Sequence, residues 1–300
     1  MEFGHVYDPI DNINFSLPPD TEMTRRTLAK TIPGDELQVY VGAPKWAEKK
    51  WVGKIYPKKT PDNALLPLYC QNFNTVEFGP TFYNIYSADE LSKWVKQVAD
   101  SPGFKFCPKF PQTITHIRRL SNAEEQTAKF YQSLDGFGDH LGNLLLQLGE
   151  NFSPKSFPQL KAYLESLPRS IKVSVEVRHK DWFAVASNRT DFFELLQALN
   201  IGTVISDTAG RRDGLHMELT TSEVMIRFVG NNLAASDYTR MDEWIERLKH
   251  WKAMGLKTAW FFMHQNDERH VPEACDYFIK KLNEQLGTTL SGPRFLNENS

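Results

Sequence analysis

Residues 172–183 read KVSVEVRHKDWF. Val173, Val175 and Val177 alternate with Ser174, Glu176 and Arg178, the period of two that a β-strand imposes on its side chains. One face is β-branched and apolar. The other carries a carboxylate and a guanidinium, and the stretch runs directly into His179, Asp181 and Trp182. A strand enclosed on both faces holds Glu and Arg on one of them only when those charges are paired or used.

The same unit repeats along the chain. Strand-like runs fall at 37–43 (LQVYVGA), 75–82 (TVEFGPTF), 104–110 (FKFCPKF), 143–149 (NLLLQLG), 172–179, 202–207 (GTVISD), 223–230 (EVMIRFVG) and 257–265 (KTAWFFMHQ). Helical stretches follow nearly all of them, near 62–74, from 87 to about 100, from 121 onward, and at 155–167, 190–199, 236–254 and 272–286. Two carry a capping-box pattern, Ser87 with Glu90 and Ser121 with Glu124. Only the sixth strand is followed by a short, Gly-broken connection. Strands alternating with helices and no hairpin signals imply a parallel sheet. Eight such units in 300 residues predict a (β/α)8 TIM-type barrel over 36–286, with an N-terminal extended arm (1–35) and a polar C-terminal tail (287–300). An open doubly wound sheet is the alternative, but it would have fewer strands and a glycine fingerprint after the first. The arm has Pro9, Pro18, Pro19 and Pro33 and no sustained period, so it supplies no strand and the barrel is expected to fold without it.

Composition narrows the function classes. Apolar residues make up 41% and charged residues 24%, the proportions of a globular protein, and a net charge of −2 argues against a dedicated nucleic-acid binder. Three widely spaced cysteines offer neither a disulfide framework nor a C-x-x-C zinc site. Asp8, Asp11 and Asp20 stand where a signal peptide would need an apolar core, and no long apolar run suits a membrane span, so a cytoplasmic protein without membrane contact is expected.

If the apolar residues of each strand face the helices, the polar ones face the barrel interior. That predicts Glu77, Lys109, Gln147, Glu176, Arg178, Asp207 and Arg227 inside, near the C-terminal strand ends where such barrels carry their sites. His264 ends the eighth strand, and His116 and His179 follow the third and fifth. Glu77, Glu176 and Asp207 balance Lys109, Arg178 and Arg227, which also fits a purely structural ion-pair network. Read as a site, Glu176 is the leading general acid or base, with Lys109, Glu77 and Asp207 as further catalytic candidates. Lys109 could be a Schiff-base nucleophile if nearby arginines depress its pKa, or a charged anchor for substrate. No cofactor is expected. Asp207, Glu77, His116, His179 and His264 are the residues a divalent metal would use, without any local metal motif. A solvated Glu176 at the mouth predicts a stability loss near 1 kcal/mol for Glu176→Gln, whereas a buried pair predicts 3–5 kcal/mol.

Trp46, Trp51 and Tyr56, with Lys45, Lys49, Lys50 and Lys54 among them, form an aromatic–basic cluster after the first strand that could stack a ligand or single-stranded nucleic acid, or cap the barrel mouth. Gly230-Asn231-Asn232 lies where many barrels bind phosphate. Arg118-Arg119 and Arg211-Arg212 read as surface charge.

At these residues the chain resembles the YecE-like family, also called domain of unknown function 72. The likeness spans about 41–274. It comprises G-x-x-x-W-x-x-x-x-W-x-G-x-x-Y-P (Gly42, Trp46, Trp51, Gly53, Tyr56, Pro57) and V-E-x-x-x-T-F-Y (Glu77, Thr81, Phe82, Tyr83). It continues through F-K-F-x-x-K with T-H (Lys109, Thr115, His116), L-L-Q-L (Gln147), V-E-x-R-H-x-x-W-F (Glu176, Arg178, His179, Trp182, Phe183) and R-x-x-G (Arg227, Gly230). The resemblance implies a TIM-type barrel and brings no established reaction. Where the family usually has Asn, a proline pair and His, this chain has Gly79, Gly149-Glu150 and Val229, and Met263-His264-Gln265 replaces its F-[DN]-N stretch. The reading is an enzyme acting by acid–base chemistry on a small anionic or polyhydroxylated molecule, with or without a phosphate, at the barrel mouth. Arg178, Arg227, Gln147, His116, His179, Trp46, Trp51, Tyr83 and His264 are its binding candidates. The alternatives are a nucleic-acid-processing barrel and a non-catalytic binding scaffold.

Overall fold

The computed structural model describes residues 4–6, 9–32 and 36–296. Residues 33–35 of the arm and 297–300 of the tail, both in the expected flanking segments, lie outside the described residues, as do 1–3, 7 and 8.

Eight parallel strands are present: β1 (Gln38–Ala43), β2 (Thr75–Phe78), β3 (Lys105–Pro108), β4 (Leu144–Gln147), β5 (Val173–Glu176), β6 (Gly202–Asp207), β7 (Glu223–Gly230) and β8 (Thr258–Gln265). They pair in the order β3-β2-β1-β8-β7-β6-β5-β4. The two ends of that row meet through bridges of Phe106 with Leu141 and Lys109 with Leu145, so the sheet closes into a nearly complete barrel. The helices are α1 (Glu22–Leu28), α2 (Leu65–Cys70), α3 (Pro80–Tyr83), α4 (Ala88–Lys96), α5 (Glu124–Ser133), α6 (Phe157–Ser166), α7 (Asp181–Ala184), α8 (Ala186–Ala198), α9 (Ala235–Met254) and α10 (Val271–Leu286).

The strand alternation divides the apolar side chains into two separate clusters. Val39, Val41, Val76, Phe106, Val173, Val175, Ile205, Ile226 and Phe261 belong to the larger one, which lies between sheet and helices. Cys107, Leu145, Val204, Met225, Trp260 and Phe262, with Tyr40, fill the lumen. A (β/α)8 barrel packed in this way is a solid body, and its C-terminal end is where such barrels carry their sites. Close approach at the rim fixes one glycine: a Cβ on Gly42 would lie 2.0 Å from the Thr75 carbonyl oxygen on the neighbouring strand.

The two capping boxes part ways. Ser87 and Glu90 cap α4 reciprocally, but α5 opens from Ala123, because Asn122 sits in the left-handed region and the Ser121 hydroxyl accepts from Gln159 instead. The tail is not loose over its described part: the Arg294 N–H donates to Asn72 and the Leu296 N–H to the Lys54 carbonyl.

The arm differs most from its sequence-based expectation. Thr21 caps α1, whose Thr24 and Leu28 are fully buried. Thr24 accepts from the Leu219 N–H at 2.8 Å and donates to the Met217 carbonyl, both on the connection between β6 and β7, which carries a 3-10 turn (Ala209–Gly214) and no α-helix. Thr27 accepts from Gln197 of α8 at 2.7 Å, while Asp20 accepts from Arg247 and Trp251 of α9 at 2.7 and 3.0 Å. The N-terminal helix therefore stands between α8 and α9, in the sector that the chain leaves uncovered after β6. Its period was invisible because only one short face of a seven-residue helix is apolar. Leu28→Ala should lower the unfolding free energy by about 2–5 kcal/mol in urea, and deletion of residues 1–32 should lower it further. A deleted chain with the wild-type urea midpoint would show that α1 only decorates the barrel.

Candidate functional site

At the C-terminal end of the barrel the inward residues are Glu77 of β2, Lys109 just after β3, Gln147 of β4, Glu176 and Arg178 at the end of β5, Ser206 of β6, Arg227 of β7 and His264 of β8. Arg227 is their hub. Its Nε and Nη2 donate to Glu77 at 3.0 and 2.9 Å, and its Nη1 donates to the two Glu176 oxygens at 3.2 and 2.9 Å. Arg178 donates to Glu176 at 3.2 and 3.3 Å, and the Ser206 hydroxyl donates to it at 2.7 Å. Lys109 Nζ lies 3.6 Å from Glu77, donates to Gln147 Oε1 at 3.1 Å and stands 4.9 Å over the Phe82 ring. His264 Nε2 is 3.3 Å from Glu77, and its Nδ1 is 3.8 Å from Glu268.

These groups floor a cavity of about 640 Å³. Trp46 and Phe82 with Tyr83 wall it, and Gly79, Gln147, Arg178, Arg227, His264 and Glu268 complete the lining. Trp46 is held by stacking on Phe78 at 5.6 Å, while Tyr83 stands 67% exposed at the rim. The Glu268 Oε2 atom is buried with no hydrogen-bond partner. A buried carboxylate oxygen left without a donor is an uncommon expense in a native fold, and here it lies on the cavity wall.

Burial acts against every charge in the cluster, so the neighbours decide the outcome. Burial raises the Glu77 and Glu176 carboxyls, but cationic neighbours prevail. Arg227, the His264 hydrogen bond and Lys109 hold Glu77 well below the usual carboxylate range. Arg178, Arg227, the Ser206 hydroxyl and Lys109 bring Glu176 down to about 2. Burial depresses Lys109, and Arg227 and Arg178 add to that against the pull of Glu77 and Glu176. Both carboxylates are thus firmly ionised, and Lys109 is the group displaced toward a loose proton.

The structure does not bring the remaining candidates into this cavity. Asp207 points out of the barrel, a correction to its expected inward phase. It is fully buried against α9 and pairs with Arg212. Its carboxylate also accepts from Arg240 Nε at 3.3 Å and from Trp244 Nε1 at 2.8 Å. In GTVISD, Val204 and Ser206 take the inner face, so Ile205 and Asp207 must take the outer one. Arg212 accordingly joins a buried pair and is not the surface charge expected of it.

Trp51 is also corrected from ligand contact to support. It is buried among Tyr56, Tyr69 and Phe73, and its Nε1 donates to the Glu268 carbonyl at 2.8 Å, fixing the turn that bears the unpartnered carboxylate. His179 does not line the cavity, and its Nδ1 accepts from the Asp181 N–H at 3.2 Å where α7 begins. His116 stands behind the wall, edge-on to Phe82 at 5.1 Å and bonded to Thr115. The proposed metal set therefore disperses: of its five members only Glu77 and His264 meet, and no metal-holding group of three such residues occurs among the described residues. Gly230-Asn231-Asn232 is closed to phosphate as well, since the Asn231 and Leu233 N–H groups donate to the buried Asp237 carboxylate. Ser206, Phe82 and Glu268 are site residues that the sequence reading passed over.

A family model described as "Protein of unknown function DUF72" matches residues 40–295. The chain belongs to that family. It is 28% identical over 270 residues to the UPF0759 protein YecE of Escherichia coli K12, covering 84% of this chain and 94% of that one. It is 29% identical over 155 residues to the UPF0759 protein YunF of Bacillus subtilis strain 168, covering 49% of this chain and 52% of YunF. Among solved structures, a DUF72 family protein from Thermotoga maritima MSB8 superposes with a TM-score of 0.64 at 20% identity, covering 84% of this chain and all of that one. One from Enterococcus faecalis V583 gives 0.62 at 15% identity, covering 85% of this chain and 99% of that one. These likenesses carry the barrel and the family. Gly79 and His264 lie on the cavity wall, whereas Val229 is buried and does not line it.

Glu176 is only 2% exposed, which overturns the solvated-mouth expectation. Glu176→Gln should lower stability at neutral pH by about 3–5 kcal/mol, the penalty for breaking a buried pair. Its folded pKa of about 2 lies below the ordinary 4.5, so its contribution is present above pH 4.5 and is lost as pH falls toward 2. Urea curves across that window should therefore converge for wild type and variant. Parallel curves with a constant offset would remove the carboxylate's ionisation as the cause.

Proposed function

We propose that this DUF72 barrel is an enzyme that binds a small anionic metabolite over the Glu77–Arg227–Glu176 floor and acts on it by proton transfer. One observation carries the reading. Arg227, Lys109 and Arg178 share the two carboxylates Glu77 and Glu176, and the third carboxylate of the lining, Glu268, stands beside His264, so Lys109 and Arg178 present cationic donors to the cavity. A carboxylate or phosphate entering the cavity can accept from both of them, and charge-assisted hydrogen bonds of that kind are the strong ones.

The acid–base role falls, in this reading, to Lys109 rather than Glu176. Glu176 lies beneath the cavity wall with both oxygens engaged by Arg178, Arg227 and Ser206, so it serves as a fixed counter-charge. Asp207 has no access to the ligand. Lys109, depressed and facing the cavity, is the proton-transfer group, and Glu77 sets its charge. Gln147, Trp46 and Tyr83 supply the polar and aromatic contacts that orient hydroxyl-bearing parts of the substrate.

The nucleic-acid reading is weaker, because most of its residues are otherwise engaged. Lys45 pairs with Glu48 at 2.6 Å, Lys50 with Asp267 at 2.9 Å and Lys54 with Glu273 at 2.6 Å, while Trp51 is buried. No helix among the described residues is long and apolar enough to cross a membrane.

A thermal-shift panel of inorganic phosphate, sulfate, simple carboxylates and sugar phosphates tests the proposal. An anion at a hundred times its Kd should add about 2.7 kcal/mol to stability, read as a rise of several degrees. Arg178→Gln, which removes a charge-assisted contact of about 1.5–3 kcal/mol, should weaken that anion tenfold or more. Anions that leave both melting temperatures unmoved would sink the proposal. A shift without turnover of any panel member would favour the non-catalytic scaffold.

A further inference from the structure

Among the described residues the cavity lining holds two amines, Lys45 and Lys109, beside the carboxylates Glu77 and Glu268, and no Ser, Thr or Cys. Of these groups only an amine can form an imine with a carbonyl compound. Lys45 sits at the open rim, half-exposed and paired with Glu48 at 2.6 Å. Lys109 is 15% exposed, with its Nζ held at 3.1 Å by Gln147 and 4.9 Å over Phe82. Charged and titratable groups face it from every side: Glu77 from β2, Glu176 and Arg178 from β5, Arg227 from β7, and His116 from its own loop, with His264 and Glu268 beyond Glu77. Glu77 is its one carboxylate contact, and Arg227 claims both oxygens of that carboxylate at 2.9 and 3.0 Å. A third cation beside two arginines, with its counter-ion shared, is the arrangement that frees an amine for attack on carbon.

We infer that Lys109 forms an imine with a small carbonyl compound that carries a carboxylate or a phosphate. The inference rests on the anion-binding reading of the same cavity: Arg178 takes the anionic group and so aims the carbonyl carbon at Nζ. The ammonium first releases a proton to solvent. The free amine then adds to the carbonyl carbon, the C–O π pair takes up a proton, and loss of water leaves the protonated imine. Overall, ammonium plus carbonyl gives iminium plus water, with no net change in protons or oxidation state. The iminium nitrogen withdraws electrons from the adjoining C–H and C–C bonds, which places the substrate among α-keto acids or phosphorylated ketoses and aldoses.

The test is reductive trapping of the full-length chain at neutral pH. Pyruvate and dihydroxyacetone phosphate serve as separate carboxylate and phosphate arms. Cyanoborohydride delivers hydride to the iminium carbon, and peptide mapping reads the label at each lysine. The expected result is labelling of Lys109 at least about tenfold faster than of Lys45 in one arm, slowed by inorganic phosphate or sulfate. Lys109→Arg keeps the charge and should melt as wild type does, yet lose the fast label. Label spread evenly over the lysines, or missing from Lys109, while the carbonyl compounds still raise the melting temperature, overturns the imine and leaves the anion site standing. Fast label at Lys109 that no anion slows supports the imine and overturns the anion site. Neither label nor any thermal shift, in either arm or with phosphate, overturns both.

Discussion

Arg227 sits between two carboxylates that come from opposite sides of the barrel lumen. Glu77 stands on β2 and Glu176 on β5, and the guanidinium of β7 engages each through two donor contacts, all within 2.9–3.2 Å. Guanidinium geometry permits this, because its donors lie in one plane and fork toward two acceptors at once. A lysine in that position would reach both carboxylates only as a point charge and would leave oxygens unsatisfied. Below this layer the lumen is filled by Leu145, Val204, Met225, Trp260 and Phe262, and above it opens the cavity. The ion triad is therefore the boundary between apolar barrel and polar mouth. Buried ion pairs add little net stability compared with apolar packing. What this one provides is a rigid, charge-defined floor against which Lys109 and Arg178 can be held facing the cavity.

A second buried ionic cluster lies on the other side of the same sheet, and the contrast is instructive. Asp207 accepts from Arg212, Arg240 and Trp244, and Phe15 of the N-terminal arm lies beneath both guanidinium groups at 5.3 and 5.0 Å. None of these residues lines the cavity. Their charges tie the loop after β6, α9 and the arm together. The first cluster has the same chemistry but faces the cavity, and that placement is what separates a binding floor from a structural clasp.

How much of this was legible in the sequence follows from the same geometry. The strand count, and with it the barrel, was readable because short apolar strand-like runs recur at regular intervals between helical stretches. Glu77, Lys109, Gln147, Glu176, Arg178 and Arg227 were assignable to the lumen because an apolar residue stands immediately before or after each. In β6 the run Thr203, Val204, Ile205, Ser206, Asp207 gives no such contrast. Polar residues end both faces there, and the more strongly charged one was taken as inward. The signal that could have corrected it lay elsewhere in the chain: Arg240 and Trp244, one turn apart on α9, form a buried donor pair that requires an acceptor. Glu268 and α1 were hidden for a different reason. Neither belongs to a periodic pattern, and each acquires its meaning only from distant contacts, Glu268 through Trp51 and α1 through Leu219 and Gln197.

The outward Asp207 and the inward Ser206 are consecutive residues, and that adjacency links the two clusters. A strand residue cannot move along its axis without carrying its neighbour. The clasp of Arg212, Arg240 and Trp244 on Asp207 therefore also fixes where the Ser206 hydroxyl lies, and that hydroxyl donates to Glu176 at 2.7 Å. Glu176 in turn orients Arg227 and Arg178. A short 3-10 turn (Ala209–Gly214) follows β6 in place of an α-helix. The arm backs this sector twice, through α1 against the β6–β7 connection and through Phe15 against the arginines. The sector where the repeat is broken is thus buttressed from outside the barrel, and the precision of the cavity floor depends on that buttress as much as on the strands that carry its charges.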